Sequence, residues 1–484
     1  MLAAMAYKFK LILNDDERQK LSFILGSLRF LYNSALAERE GAYRQMLLHG
    51  HITNKYLSVK LSGDEKALAL EINSAYKVDR FSQDAEFRIK ELKKNPHLSL
   101  ISFLGDIPSG PAQQKLADLD KAFGKFFAKT GGYPHFKSKS SKDDSMRFSD
   151  PRQFIVVPTT NTRTTRNGIV RVKGCGVADL PKIGKLRFLQ TRVMEFSKLN
   201  SITISQEGKD YFISINVESE KNLPKAENQH DVLGIDRNGN GDATLALSSG
   251  KLIAGPYDQL VCLEDRIAVL QARMRNKKKG SVNYKKSISK INKLHTKKTR
   301  TLRDWQQKTT TMIAKSHSIV ALEKLHIKGM TASAKGTVDE PGRNTAAKSG
   351  LNKLLLRFGH GEIARQLHYK VSWRKGHVVL VNAHYTSQTC SVCGERHNTV
   401  RIGREFECHN CGICLDADLN ASENIKQRAE RFLAGQDNLL PGESAELLAS
   451  VCDTYVASKL KRGSRNQLRA EKRKLLVSSK PDAA

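Results

Sequence analysis

The chain of 484 residues is long enough for roughly two to four domains with their own cores, and it carries 81 Lys and Arg against 49 Asp and Glu. A net charge of +32, dispersed along the chain rather than gathered in one tail, calls for a polyanionic partner, with nucleic acid first. No run approaches the ~18 apolar residues of a membrane span, no lipidation signal is visible, and the start turns charged too soon for a secretory signal. No membrane partner is therefore expected.

From Ala6 to Leu13, AYKFKLIL alternates apolar and basic residues and predicts a strand. Asn14 or Asp15 then caps a long helix in which Leu21, Leu25, Leu28, Leu31 and Tyr32 recur at helical spacing as a core-facing stripe. Further helices are expected in residues 66–78 and 84–95, and PAQQKLADLDKAFGKFFAKTGG predicts an amphipathic helix ended by Gly131 and Gly132. From Tyr133 to about Val217 short alternating segments, broken by Gly, Pro, Asn and Asp, signal an antiparallel sheet or barrel, with EGKD (207–210) as a hairpin turn. The polar run 218–230 reads as a linker.

DVLGIDRN then predicts a strand and DATLALSSGKLI its partner. Two helical stretches follow, bridged by the very basic span from Arg273 to Lys308. Ile288, Ile291, Leu294, Leu302 and Trp305 mark its buried side, and Lys277, Lys278, Lys279, Lys285 and Lys286 fall outside it. The span reads as a helical hairpin with one face on the core and one on phosphate; a merely solvated face is the alternative. HSIVALEKL is another strand, residues 329–350 a loop too long to lack a purpose, LNKLLLRFGHGEIARQLHYKVSWRKG helical, and HVVLVNAHY a strand. Beyond Gly435 an apolar-periodic segment leads into a basic end.

Cys390, Cys393, Cys408 and Cys411 form two C-x-x-C pairs with fourteen residues between them, each followed by Gly, which is zinc-ribbon spacing. Each short turn aims two sulfurs at one ion, and Gly394 and Gly412 free the backbone to fold around it. Cys414 is a fifth thiol, but the Gly after Cys411 favours Cys411. With Cys175, Cys262 and Cys452 scattered, a reduced, cytoplasmic setting is expected.

Three acids close predicted elements: Asp236 ends VLGID, Glu323 ends IVALE, and Asp416 follows the ribbon, with Asp418 two residues on. An acid in such a place is ordinarily a cap or turn residue. Three of them in a strongly basic chain fit the alternative: carboxylates sharing two Mg2+ or Mn2+ ions for phosphodiester hydrolysis.

With GID at Asp236, the strand-borne Glu323 in IVALEKLHIKGM, TSQTCSVCG, the second CxxCG and DADLNASENI, the chain resembles the transposon-encoded TnpB proteins and the compact type V CRISPR effectors related to them. AQQKLADLDKAFGKFF followed by GYPHFKSK is similar to the end of that family's helical domain. The resemblance reaches to about Ala434.

It implies a multidomain α+β protein. A β-barrel-like wedge domain would take its first strand from 1–10 and the rest from 130–225, around a helical recognition domain at 11–129. A RuvC-like nuclease domain of RNase H fold would span 226–383 and 415–434, with the zinc ribbon inserted at 384–414 and a basic extension at 435–484. It implies Asp236, Glu323 and Asp416 as catalytic carboxylates, the D-x-D-x-N pattern choosing Asp416 and leaving Asp418 as the cap. It also implies four cysteine ligands for one Zn2+, a guide RNA of transposon or CRISPR origin, and a double-stranded DNA target cut beside a short flanking motif. An RNA-guided DNA-binding regulator would be marked by loss of a carboxylate, and a guide-free nuclease would need neither of the domains ahead of the core. Nothing in the sequence indicates a homo-oligomer.

Overall fold

The computed structural model describes residues 3–49, 78–86, 103–139, 144–164, 170–172, 174–219, 223–238, 244–334, 336 and 342–435. The chain divides into two compact units, Met1–Lys221 and Asn222–Ala484. The helix expected in 66–78, most of that expected in 84–95 and the tail beyond Gly435 lie outside the described residues.

The first unit contains β1 (Ala3–Ile12), α1 (Asp15–His49), α2 (Arg80–Glu86), α3 (Ser109–Phe127), β2 (Ser145–Phe148) and β3 (Ile155–Val157). It continues with β4 (Thr162–Thr164), β5 (Val170–Val172), β6 (Cys175–Leu180), β7 (Gly184–Leu189), β8 (Lys198–Glu207) and β9 (Asp210–Ser219). Asn14 is the cap of α1: its Oδ1 accepts from Glu17 N at 2.7 Å, and Glu17 accepts in return from Asn14 N at 2.9 Å.

Seven antiparallel strands are ordered β2-β8-β9-β1-β7-β6-β3. The N-terminal strand thus sits mid-sheet, and β2 and β3 end a ladder that is open among the described residues. Alternation turns Tyr7, Phe9 and Leu11 inward. They join a core that also buries Leu21, Leu25, Leu28, Leu31 and Tyr32 of α1, the stripe read from the sequence.

The second unit is built on β10 (Asn228–Arg237), β11 (Leu245–Leu247), β12 (Leu252–Ile253), β13 (His317–Glu323) and β14 (His377–Val381), ordered β12-β11-β10-β13-β14. β10, β13 and β14 are parallel, while β11 and β12 fold back antiparallel. α4 (Tyr257–Arg275) and α5 (Val282–Ser316) form the expected hairpin, and α6 (Ile327–Met330), α7 (Thr345–Arg357) and α8 (His360–Ser372) lie between β13 and β14 in sequence.

Two expectations shift here. The loop predicted from 329 to 350 gives way to α7 at Thr345, and the single helix predicted after it is broken at Phe358 and Gly359. The break has a local and a tertiary cause: Gly359 adopts a left-handed φ of 63°, and Phe358 is fully buried, against Trp305 and Tyr257, with its carbonyl accepting from Gln306 Nε2 at 2.7 Å.

Strand alternation sorts the second sheet's faces. Leu233, Ile235, Val320 and Leu322 pack with Ile313 of α5 and Ile363, Leu367 and Val371 of α8. Val232, Ile319, Ala321, Val379 and Val381 pack on the other face with Ile425, Ala429 and Leu433 of the last described helix, α9 (Ala417–Leu433). Ile425 and Leu433 are fully buried, each contributing about 1.5–3 kcal/mol of apolar burial. Helices on both faces of a mixed sheet, parallel across β10, β13 and β14, make this unit α/β. Among the described residues no helix is long and apolar enough to cross a membrane.

Candidate active site

Asp236 and Glu323 continue the alternation of the α9 face: Val232 and Gly234 precede Asp236 at two-residue steps, and Ile319 and Ala321 precede Glu323. The register pairs Ile235 with Leu322, so the next residues, Asp236 and Glu323, are neighbours at the carboxyl ends of two parallel strands. That is where open α/β sheets place their ligands.

α9 reaches these acids because of Gly234. A Cβ there would stand 2.1 Å from the Ser422 carbonyl oxygen and 2.7 Å from Lys426 N, so any side chain would push the helix off the strand.

The third acid facing the pair is Asp418. Burial first, then the charges of Glu323 and Asp418, push the Asp236 carboxyl up to about 7, against the backbone N–H of Arg237 and the charge of Arg401. Asp418 is fully buried; its Oδ1 meets Arg401 Nη2 at 3.0 Å and its Oδ2 has no hydrogen-bond partner.

Asp416 has the role expected of Asp418. Its Oδ1 caps α9, accepting from Asp418 N at 3.0 Å and Leu419 N at 3.1 Å, and its Oδ2 pairs with Arg404 at 2.9 Å. The capping assignment is therefore corrected: Asp416 caps, and Asp418 occupies the first turn, on the helix's buried side. Helical phase carried that signal, since Asp418 lies seven residues before Ile425 on the same stripe.

Other side chains fix the acids. Asp236 Oδ1 accepts from Arg237 N at 2.8 Å and its Oδ2 from Asn238 Nδ2 at 3.1 Å. The buried Arg237 guanidinium donates to the carbonyls of Glu323 and, at 3.3 Å, His360, tying the end of β13 to the start of α8. Thr386 Oγ1 donates to Glu323 Oε1. The charges of three acids converge here and one of them has an orphaned buried oxygen, an environment that a divalent cation such as Mg2+ or Mn2+ would relieve; these are the residues that would hold it.

The ribbon follows β14. Its strands β15 (Thr399–Ile402), β16 (Glu405–Cys408) and β17 (Cys414–Asp416) form an antiparallel sheet that ends directly at α9. The sulfurs of Cys390, Cys393, Cys408 and Cys411 all lie within 4.8 Å of one another, with Cys390–Cys411 at 3.7 Å and Cys393–Cys408 at 3.6 Å. Tetrahedral Zn–S bonds of ~2.3 Å require sulfurs about 3.8 Å apart, so the cluster fits one zinc. The two knuckles match: Gly394 N donates to Cys390 O at 2.9 Å, and Gly412 N to Cys408 O at 2.8 Å. Cys414 is exposed in β17 and is not one of the four.

Of the five lysines singled out, Lys277, Lys278 and Lys279 occupy the turn between α4 and α5, and Lys285 and Lys286 the first turns of α5. All are exposed except the half-buried Lys277, which donates to Ser287 Oγ at 2.6 Å. On the opposite side Ile291 is buried and Leu294, Leu302 and Trp305 half-buried, but Ile288 is 37% exposed.

This is the arrangement of a RuvC-like nuclease core with a metal-binding ribbon inserted before its last helix. Family profiles agree: "Cas12f1-like, TNB domain" matches residues 360–425, "Probable transposase" 214–334 and "Helix-turn-helix domain" 1–47. Here the last of these regions forms β1 and one long helix.

The protein "Putative RNA-guided DNA endonuclease InsQ" of Escherichia coli K12 is 31% identical over 430 residues, covering 89% of this chain and 93% of its own. A "Putative RNA-guided DNA endonuclease" of Streptomyces pristinaespiralis is 25% identical over 440 residues, 90% of this chain and 92% of its own. The solved structure of a CRISPR-Cas12f ternary complex aligns over 86% of this chain and 85% of its own, at 16% identity and a TM-score of 0.32. The chain belongs to the TnpB family of nucleases, which includes relatives among the Cas12f-type effectors.

Proposed function

We propose that this protein is an RNA-guided DNA endonuclease that cuts by metal-dependent phosphodiester hydrolysis, with Asp236, Glu323 and Asp418 as its cation ligands. The observation that carries the chemistry is the convergence of three acids: burial first, then the charges of Glu323 and Asp418, push the Asp236 carboxyl up to about 7. The match to the Escherichia coli relative over 93% of that protein's length supports RNA guidance and a DNA target. Asp418 takes the place first expected of Asp416, whose carboxylate is engaged in capping.

Mg2+ or Mn2+ at such a site supplies an activated water and neutralises charge on the attacking and leaving oxygens. The chain's own part is to hold the acids. Asn238 and the Arg237 backbone orient Asp236, and Arg401 balances Asp418. Zn2+ on four thiolates has no open position, so its part is structural.

The first unit, with its sheet and helices, takes the wedge and recognition parts that hold the guide RNA and the flanking motif. Lys277, Lys278, Lys279, Lys285 and Lys286 contact phosphates, and pairing with the guide reads the target sequence. The protein works in the cytoplasm, where the cysteines stay reduced.

The test is to sequence the RNA that copurifies with the protein and challenge the complex, with Mg2+, with duplexes that match or mismatch that guide. Guide-matched cutting that Asp236→Ala abolishes, with target binding retained, is expected. Cutting independent of the guide, or unaffected by Asp236→Ala, would overturn the proposal.

A further inference from the structure

We propose that Thr386 is a positioning residue that sets Glu323 for cation binding; this rests on reading Asp236, Glu323 and Asp418 as the cation ligands. Thr386 is 3% exposed and its hydroxyl donates to Glu323 Oε1. The hydroxyl has a single proton, and a carboxylate is a stronger acceptor than the Ala383 carbonyl at 3.2 Å, the other oxygen in reach. Glu323 is the last residue of its strand and carries a long side chain, so its carboxylate has several rotamers to choose from unless something outside the strand selects one.

Thr386 can do so because it is held from the side of the third acid. Asn424, on α9 and 5% exposed, donates through Nδ2 to Thr386 O at 2.9 Å and to Thr389 O at 2.6 Å. One turn earlier Asn420 donates to Thr389 O at 2.8 Å and accepts from Ser391 N at 2.8 Å, and Gln427 donates to Ser391 O at 2.8 Å. Residues 386–391, which include the zinc ligand Cys390, are thus bound to the helix whose first turn carries Asp418. A β-branched residue with a gripped backbone has few χ1 choices, so the hydroxyl's direction is set by α9. Thr386 thereby joins the second acid to the third and does for Glu323 what hydrogen-bond partners behind a metal ligand do elsewhere.

The test is Mn2+ titration of the purified full chain with zinc in place, reading free Mn2+ by paramagnetic resonance. Thr386→Val keeps the shape and removes the donor, and is expected to weaken Mn2+ binding about 10–100-fold with zinc content unchanged. Thr386→Ser should recover most of that loss. If the valine variant does not fold, Thr386→Ala removes the same donor and is read the same way. Mn2+ affinity in the donor-less variant within about twofold of wild type, against the loss expected for such a partner, overturns the role of Thr386. So does a serine variant as weak as the valine one. Glu323→Gln separates the two levels: if it binds Mn2+ like wild type, the carboxylate reading itself fails. If it binds weakly while Thr386→Val does not, the cation site stands and Thr386 is removed from it.

Discussion

Asp416 and Asp418 lie two residues apart in the same entrance to α9, and exchanging each in turn separates capping from chemistry. Asp418→Asn keeps the volume and removes the charge that faces Asp236 and meets Arg401 at 3.0 Å. Loss of a cation ligand in a preorganised site should lower guided cleavage by about a hundredfold to a thousandfold or more. The same change removes one of the charges that raise Asp236, so the Asp236 carboxyl should titrate lower.

Asp416→Ala removes the two cap bonds at 3.0 and 3.1 Å, worth about 1 kcal/mol together. The partly exposed pair with Arg404 adds at most a few tenths of that figure. In a unit of this size such a loss lowers the melting temperature by about 2–4 °C. Asp416→Asn, which can still cap, should lose less. Single-turnover cleavage with the copurified guide, alongside thermal melting, reads both effects. Full cleavage in Asp418→Asn together with none in Asp416→Asn would refute the assignment of the two acids.

Three further outcomes are set by the geometry. Asp236 keeps its proton to about pH 7 when folded, whereas the unfolded carboxyl loses it near 3.8, so the folded state binds the proton more tightly. Its contribution to stability is complete below 3.8 and is lost as pH rises through 7: melting without added Mg2+ should fall between pH 3.8 and about 7 and level off above, and Mg2+ should restore it. A melting temperature flat across that window would remove Asp236 from the buried cluster. Changing the five lysines to glutamine should weaken matched and mismatched targets alike and flatten the salt dependence by roughly 0.7–0.9 in slope for each phosphate left unneutralised; an unchanged slope would leave them as surface charge. Metal analysis should find about one tightly bound zinc per chain, and a zinc-free protein that folds and cuts normally would contradict the ribbon's structural role.

Much of the site was legible because its signals are local. Two CxxCG knuckles bring their sulfurs together by spacing alone, and Asp236 and Glu323 could be read as the polar ends of apolar strands. The choice between Asp416 and Asp418 depended on where the helix begins to within a turn, and helix ends are where sequence patterns are weakest. Thr386, Asn420 and Asn424 act across a fold, between residues more than thirty positions apart, so no local pattern announces them. The break between α7 and α8 had a local signal in Gly359, which adopts a left-handed φ of 63°, whereas the burial of Phe358 that accompanies it is tertiary and no local pattern announces it.

The topology also fixes when activity can arise during synthesis. The face of the second sheet formed by Val232, Ile319, Ala321, Val379 and Val381 is covered by Ile425, Ala429 and Leu433, which are made last among them. Until that helix has left the ribosome the face is bare and the third acid is missing. A nascent chain ending anywhere before Asp418 therefore cannot assemble the cluster, however well its first unit has folded. The three acids therefore meet only once α9 has been made, after the segments that precede the second sheet have been free to fold.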